Sequence, residues 1–261
     1  MRALLEQGTD LEAAAADGRT ALMVAGSEGK GDVLEFLISM GANIDAVNAK
    51  GWTTLMHAVK RNDRATVDIL LSHGADVHHL SPDHWTALGE AAQQGLNEVM
   101  LSLLKCGADT EIKSSHDWTP LMHACFKGDI ANAQCLIKAG ADVESASQHD
   151  ESPLFLAAAS GNTRICVDLL GAGASTEAPW ARKLVDNQEP GAQVPLIRAY
   201  KLGWTPLMVA CQGGHIDVVR LLLHRKANVE PKSPMEKTAL GIAKENGRTA
   251  IVEMLEPYYQ V

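Results

Sequence analysis

The chain has 261 residues, 46% of them hydrophobic and 21% charged, with 22 Gly and 10 Pro, a balance that excludes disorder and collagen-like repetition. Its 23 Lys plus Arg against 32 Asp plus Glu give a net charge of −9, the wrong sign for a surface that gains affinity by displacing counterions from nucleic-acid phosphates or for docking to an anionic membrane. No apolar run approaches the ~18–20 residues of a spanning helix, and Glu6 and Asp10 interrupt the stretch a secretory signal would need to keep apolar. Cys106, Cys125, Cys135, Cys166 and Cys211 are odd in number and form no CxxC, which points to a reducing compartment. A cytoplasmic protein is expected, with the nucleus left open.

One pattern repeats along the chain. Thr20-Ala21-Leu22, Thr53-Thr54-Leu55, Thr86-Ala87-Leu88, Thr119-Pro120-Leu121, Ser152-Pro153-Leu154, Thr205-Pro206-Leu207 and Thr238-Ala239-Leu240 follow one another at 33 residues, except for one step of 53. Each Thr or Ser offers an oxygen to the free amides of a starting helix, and Pro or Ala suits the first helical position. Nine residues later Gly29, Asn62, Gly95, Gly128, Gly161, Gly214 or Gly247 accepts positive φ and ends that helix after about two turns. A second helix follows, with apolar residues at three and four spacing, such as Val218, Val219, Leu221, Leu222 and Leu223. It stops at Gly8, Gly41, Gly74, Gly107, Gly140 and Gly173, a beat that lands on Lys226 after the long step. Neither helix can bury its apolar face alone, so the units must stack as an all-α solenoid.

The period of 33, the T-P-L-x-x-A helix start, the mid-unit Gly and the L-L-x-x-G-A-D ending resemble the ankyrin repeat. The resemblance implies stacked helix-turn-helix units with β-hairpin loops and a concave binding surface. It divides the chain into a half unit at 1–14, units at 15–47, 48–80, 81–113 and 114–146, an expanded unit at 147–199 with an insertion near 178–197, a unit at 200–232 and a terminal cap at 233–261. The half unit, the end of a second helix at Met1 to Gln7 without its partner, leads us to expect a segment of a longer array. Three departures stand out. Where the family favours His after T-P-L, Met23, Met56, Met122 and Met208 supply soft apolar packing, with Gly89, Phe155 and Gly241 elsewhere. Glu12, Asp45, His78, Glu111, Glu144, Glu177 and Glu230 replace the Asn that hydroxylases modify in some relatives. Lys226 sits where φ above zero is expected.

No GxSxG, Walker loop, HExxH or dinucleotide fingerprint is present, so neither a catalytic site nor a cofactor is expected. Cys125, Cys135, Cys166 and Cys211 read as core and Cys106 as exposed. His73, His78, His79, His84, His116 and His149 fit no tetrahedral ligand spacing, so no metal is expected. The residue before the anchoring Thr is Trp52, Trp85, Trp118 and Trp204 in four units. In three of these the first-helix position four after the Thr is polar: His57, Glu90 and His123. Lys60, Arg61, Gln93, Gln94, Phe126 and Lys127 follow on the same helix face. The indoles either pack against their turns or anchor a partner, and three adjacent units changing together favour the second reading. The insertion, with Trp180, Leu184, Ile197 and Tyr200, is read as a projecting finger or a surface loop. The expected function is a non-enzymatic scaffold or adaptor for a protein partner, a monomer or a subunit of a larger assembly. The alternative is the recruiting or regulatory array of a larger enzyme or channel.

Overall fold

A computed structural model describes residues 10–115, 117–177, 203–233 and 235–259. The half unit at Met1 to Gln7, His116, and the insertion with Trp180 lie outside the described residues. Every unit opens on a hydroxyl, as its sequence requires. Thr20, Thr53, Thr86, Thr119, Ser152, Thr205 and Thr238 each accept, at 3.0–3.4 Å, the N–H of the residue three positions on. The first helices that follow are α1 (Ala21–Ser27), α3 (Thr54–Lys60), α5 (Ala87–Gln94), α7 (Pro120–Lys127), α9 (Pro153–Ala159), α11 (Pro206–Gly213) and α13 (Ala239–Glu245). All seven residues expected to end them have positive φ, Asn62 included.

The second helices are α2 (Gly31–Ser39), α4 (Arg64–Ser72), α6 (Asn97–Lys105), α8 (Ile130–Lys138), α10 (Thr163–Gly171), α12 (Ile216–His224) and α14 (Thr249–Leu255), the last continued by a 3-10 turn at Glu256–Tyr259. Lys226 adopts φ +60°, matching the positive φ of Gly41, Gly74, Gly107, Gly140 and Gly173.

The described residues fall into two compact units divided after Ser115. In the first, α1, α3 and α5 pack side by side, as do α2, α4 and α6. In the second, the rows are α7, α9, α11, α13 and α8, α10, α12, α14. Although the insertion separates α10 from α11 in sequence, α9 packs directly on α11, so the chain on either side of it keeps the stacking beat. Met23, Met56, Met122 and Met208 are fully buried, which supports the apolar packing expected at the position after T-P-L. Cys125, Cys166 and Cys211 are buried and Cys106 exposed, but Cys135 is half-buried rather than core, because its side of α8 lies at the edge of the packed face.

The expected β-hairpins carry no strand among the described residues. Each tip is a tight turn too short to start a ladder. Asn48 N–H donates to the Trp52 carbonyl at 3.1 Å and Ser81 N–H to that of Trp85 at 2.9 Å, and equivalent bonds close the tips at Ala15, Ser147 and Ser233. Carboxylates then link successive tips. Glu12 accepts the Asn43 amide at 2.7 Å, Asp45 that of Asp76 at 2.8 Å, Glu144 that of Ser175 at 2.7 Å and Glu177 that of Asn228 at 3.4 Å. These four of the acidic residues that replace Asn therefore have a structural use. They satisfy amides that a sheet would otherwise pair.

Candidate functional site

In the first unit, one side chain orders the surface of α3. Asn48 Oδ1 accepts from the amides of Lys50 at 2.9 Å and Trp52 at 3.0 Å, so its Nδ2 is turned to donate to His57 Nε2 at 2.8 Å. This assigns His57 as neutral, with its proton on Nδ1. Burial, followed by the nearby charges of Arg19, Lys60 and Lys50, holds its pKa below the ordinary 6.5, against a smaller opposing effect of Asp17. The His57 ring lies 5.5 Å from the Trp52 ring, and Lys60 Nζ lies 4.6 Å from the centroid of the same indole. On α5, Gln94 Nε2 donates to Glu90 Oε1 at 2.7 Å and reaches back to the Lys60 carbonyl at 3.3 Å. Trp85 lies over Gly89, where a Cβ would meet its ring at 3.6 Å.

The second unit builds an aromatic group on α7. Trp118 Nε1 donates to Glu151 Oε2 at 2.9 Å, and Ser147 Oγ donates to the same oxygen at 3.0 Å. His123 and Phe126 meet the Trp118 ring edge-on, with centroids 5.3 and 5.1 Å away. Phe126 is 55% exposed. Its carbonyl is held by Ser160 Oγ from the end of α9 at 2.8 Å. The same service recurs at the last turns of α9 and α11, where His215 Nε2 donates to the Ala159 carbonyl at 3.0 Å and Arg248 to that of Gln212 at 3.2 Å. These first helices are thus capped by a side chain of the following repeat.

These placements revise the expected site. Trp52 is 8% exposed, Trp204 5%, Glu90 6% and His123 7%, so all four are packing residues with little surface to give a partner. The cause is geometric: an indole just before the helix folds back over its own first helix, and the polar residue one turn on lies beneath it. Trp85, Trp118 and His57 are half-buried, whereas Lys60, Arg61, Gln93, Gln94, Phe126 and Lys127 are exposed. Trp52 and Trp85 belong to one compact unit, Trp118 and Trp204 to the other. Sequence reasoning missed Asn48, Ser147 and Glu151, which position the neighbouring rings. It also missed the positive φ shared by Gly18, Gly51, His84, Asp117, Asp150, Gly203 and Glu236 at the tips, although three glycines on one beat signal it.

A family profile described as "Ankyrin repeats (3 copies)" matches residues 1–81, 34–114, 88–179 and 181–260. The chain belongs to the ankyrin repeat family. Its fold is likewise that of the human ASB11 ankyrin repeat domain, a crystal structure with 23% sequence identity, a TM-score of 0.71, and coverage of 90% of this chain and 97% of that one. Among curated proteins none matches. Ankyrin repeats are in general protein–protein interaction modules and typically non-catalytic. Among the described residues no helix is long and apolar enough to cross a membrane, and no cluster of three or more His, Cys, Asp or Glu is placed to hold a metal ion.

Proposed function

We propose that the protein is a non-enzymatic adaptor that binds a protein partner through the exposed last turns of its first helices. In the first unit that surface is Lys60, Arg61, Gln93 and Gln94 beside the half-buried Trp85. In the second it is Phe126 and Lys127 beside Trp118. The observation that carries the reading is Phe126, a large apolar side chain more than half exposed, on a backbone capped from the next repeat and against an indole anchored by Glu151. A rigid, partly aromatic surface with a polar surround binds at a low ordering cost.

The test is affinity capture from a lysate with cross-link mapping, comparing the intact chain with Lys60→Ala/Arg61→Ala, Phe126→Ala/Lys127→Ala and, on the second helices, Lys105→Ala/Lys138→Ala. Trp52 is left intact, because removing a buried indole costs about 3–5 kcal/mol of packing. A partner held through first-helix surfaces loses on the order of 1–2 kcal/mol of affinity with at least one first-helix variant and keeps it with the control. A partner indifferent to both and lost with the second-helix variant contradicts the proposal.

A further inference from the structure

Cations gather at one place in a chain of net charge −9. The last turn of α3 carries Lys60 and Arg61, where the equivalent pairs are Ser27 and Glu28, Gln93 and Gln94, Phe126 and Lys127, Ala159 and Ser160, Gln212 and Gly213, and Glu245 and Asn246. Lys50 adds a third cation at the adjoining tip, where Asp17, Asp83, His149 and Met235 stand in other units. All three are exposed, and among the described residues none has a carboxylate within ion-pair distance. Two of the acidic side chains in the adjoining units are engaged, and a third, Glu28, is exposed. Asp17 pairs with Arg19 at 2.6 Å, Glu90 is buried under Gln94, and Glu28 forms no ion pair among the described residues.

The group is also arranged, which a merely solvated charge run is not. Lys60 rests on the Trp52 ring, so its ammonium is positioned before any partner arrives. The Asn48 amide is common to the Lys50 backbone, Trp52 and His57, and ties the tip to the helix. Because that amide donates to His57 Nε2, the Nδ1–H of a half-buried ring is left as a further donor, without an acceptor among the described residues. Ammonium, guanidinium and imidazole N–H all donate.

We propose that the strip formed by Lys50, Lys60, Arg61 and His57 receives a carboxylate-rich segment of the protein partner. The inference rests on the protein-binding reading and gives it a chemistry. Carboxylates match the donors in sign and geometry, Arg61 being able to take one bidentately. Binding of this kind weakens as salt rises.

The experiment measures fluorescence anisotropy of a labelled alternating Asp-Glu octapeptide with the full chain, beside its Asn-Gln counterpart and a phosphoserine version of equal charge. Variants are Lys60→Gln/Arg61→Gln, Lys50→Gln and the second-helix control Lys105→Gln/Lys138→Gln, each first checked for unchanged circular dichroism. The expected result is binding of the acidic peptide that exceeds the amide peptide, drops about tenfold with the Lys60/Arg61 variant, and is untouched by the control. Equal affinity for the amide peptide, equal loss in the control, or a tenfold preference for phosphoserine overturns the carboxylate assignment. The capture experiment tests protein binding separately, so the two failures are distinguishable.

Discussion

Lys226 carries a Cβ in the left-handed region of the backbone, just past the end of α12. Its φ of +60° is one that Cβ-bearing residues occupy at a cost of about 1–2 kcal/mol, and among the described residues the equivalents Gly41, Gly74, Gly107, Gly140 and Gly173 are glycine. At those glycines an added Cβ would meet nothing within 4 Å, so the penalty is conformational rather than steric. Lys226→Gly should raise the melting temperature by roughly 1–3 °C once glycine's extra unfolded-state entropy is subtracted; an unchanged or lower value contradicts this. His57 gives a pH dependence. Its folded pKa is depressed, so the unfolded chain takes up the proton first, and stability that is full above pH 6.5 falls away as pH drops below it. The groups that set this are burial first, then Arg19, Lys60 and Lys50, opposed by Asp17. His57→Gln keeps an acceptor for Asn48 and should therefore lose less stability than the natural chain between about pH 7.5 and about pH 5.5, read from urea midpoints. Parallel losses would show that His57 is not the titrating group.

Among the first helices, α3 alone starts on a Thr. Thr54 occupies the first helical position that holds Pro120, Pro153 and Pro206 in α7, α9 and α11, and its buried hydroxyl has no hydrogen-bond partner. Thr53 already has the extended backbone that a following proline demands, with φ −81° and ψ 168°. Thr54→Pro should stabilise by about 1 kcal/mol, visible as a higher urea midpoint, through removal of an unsatisfied group and a preorganised φ. A lower midpoint would mean that Thr54 packing against Gly26 outweighs both. The first helices were legible in the sequence because each of their ends is made by one local residue: a Thr or Ser oxygen at the start, a Gly or Asn of positive φ just past the stop. The tips were less so. A hairpin expectation built on the resemblance could not reveal that Glu12, Asp45, Glu144 and Glu177 would take the amides from neighbouring repeats, a contact 31 residues away in sequence for Glu12 and 51 for Glu177. The candidate site was half legible for the same reason. Spacing placed Trp52, His57 and Lys60 together, but whether an indole faces solvent or folds over its helix depends on Asn48 and on the repeat alongside.

For the whole molecule, charge and stacking have to be considered together. A net charge of −9 suits solvation of the exposed surface, and against it the Lys50, Lys60 and Arg61 group is a local exception that would steer an acidic partner toward α3. The second unit offers a different chemistry, with Phe126 and Lys127 beside Trp118, so the two units need not recognise the same feature of a partner. Both surfaces place a partner on the first helices rather than the second. Lysine acetylation footprinting of the full chain, free and with its captured partner, separates these two possibilities, because exposed lysines mark both sets. A partner on the first helices slows modification of Lys50, Lys60 or Lys127 severalfold and leaves Lys30, Lys105 and Lys138 at their free rates. Protection of Lys30, Lys105 and Lys138 with Lys50, Lys60 and Lys127 unchanged would contradict that placement.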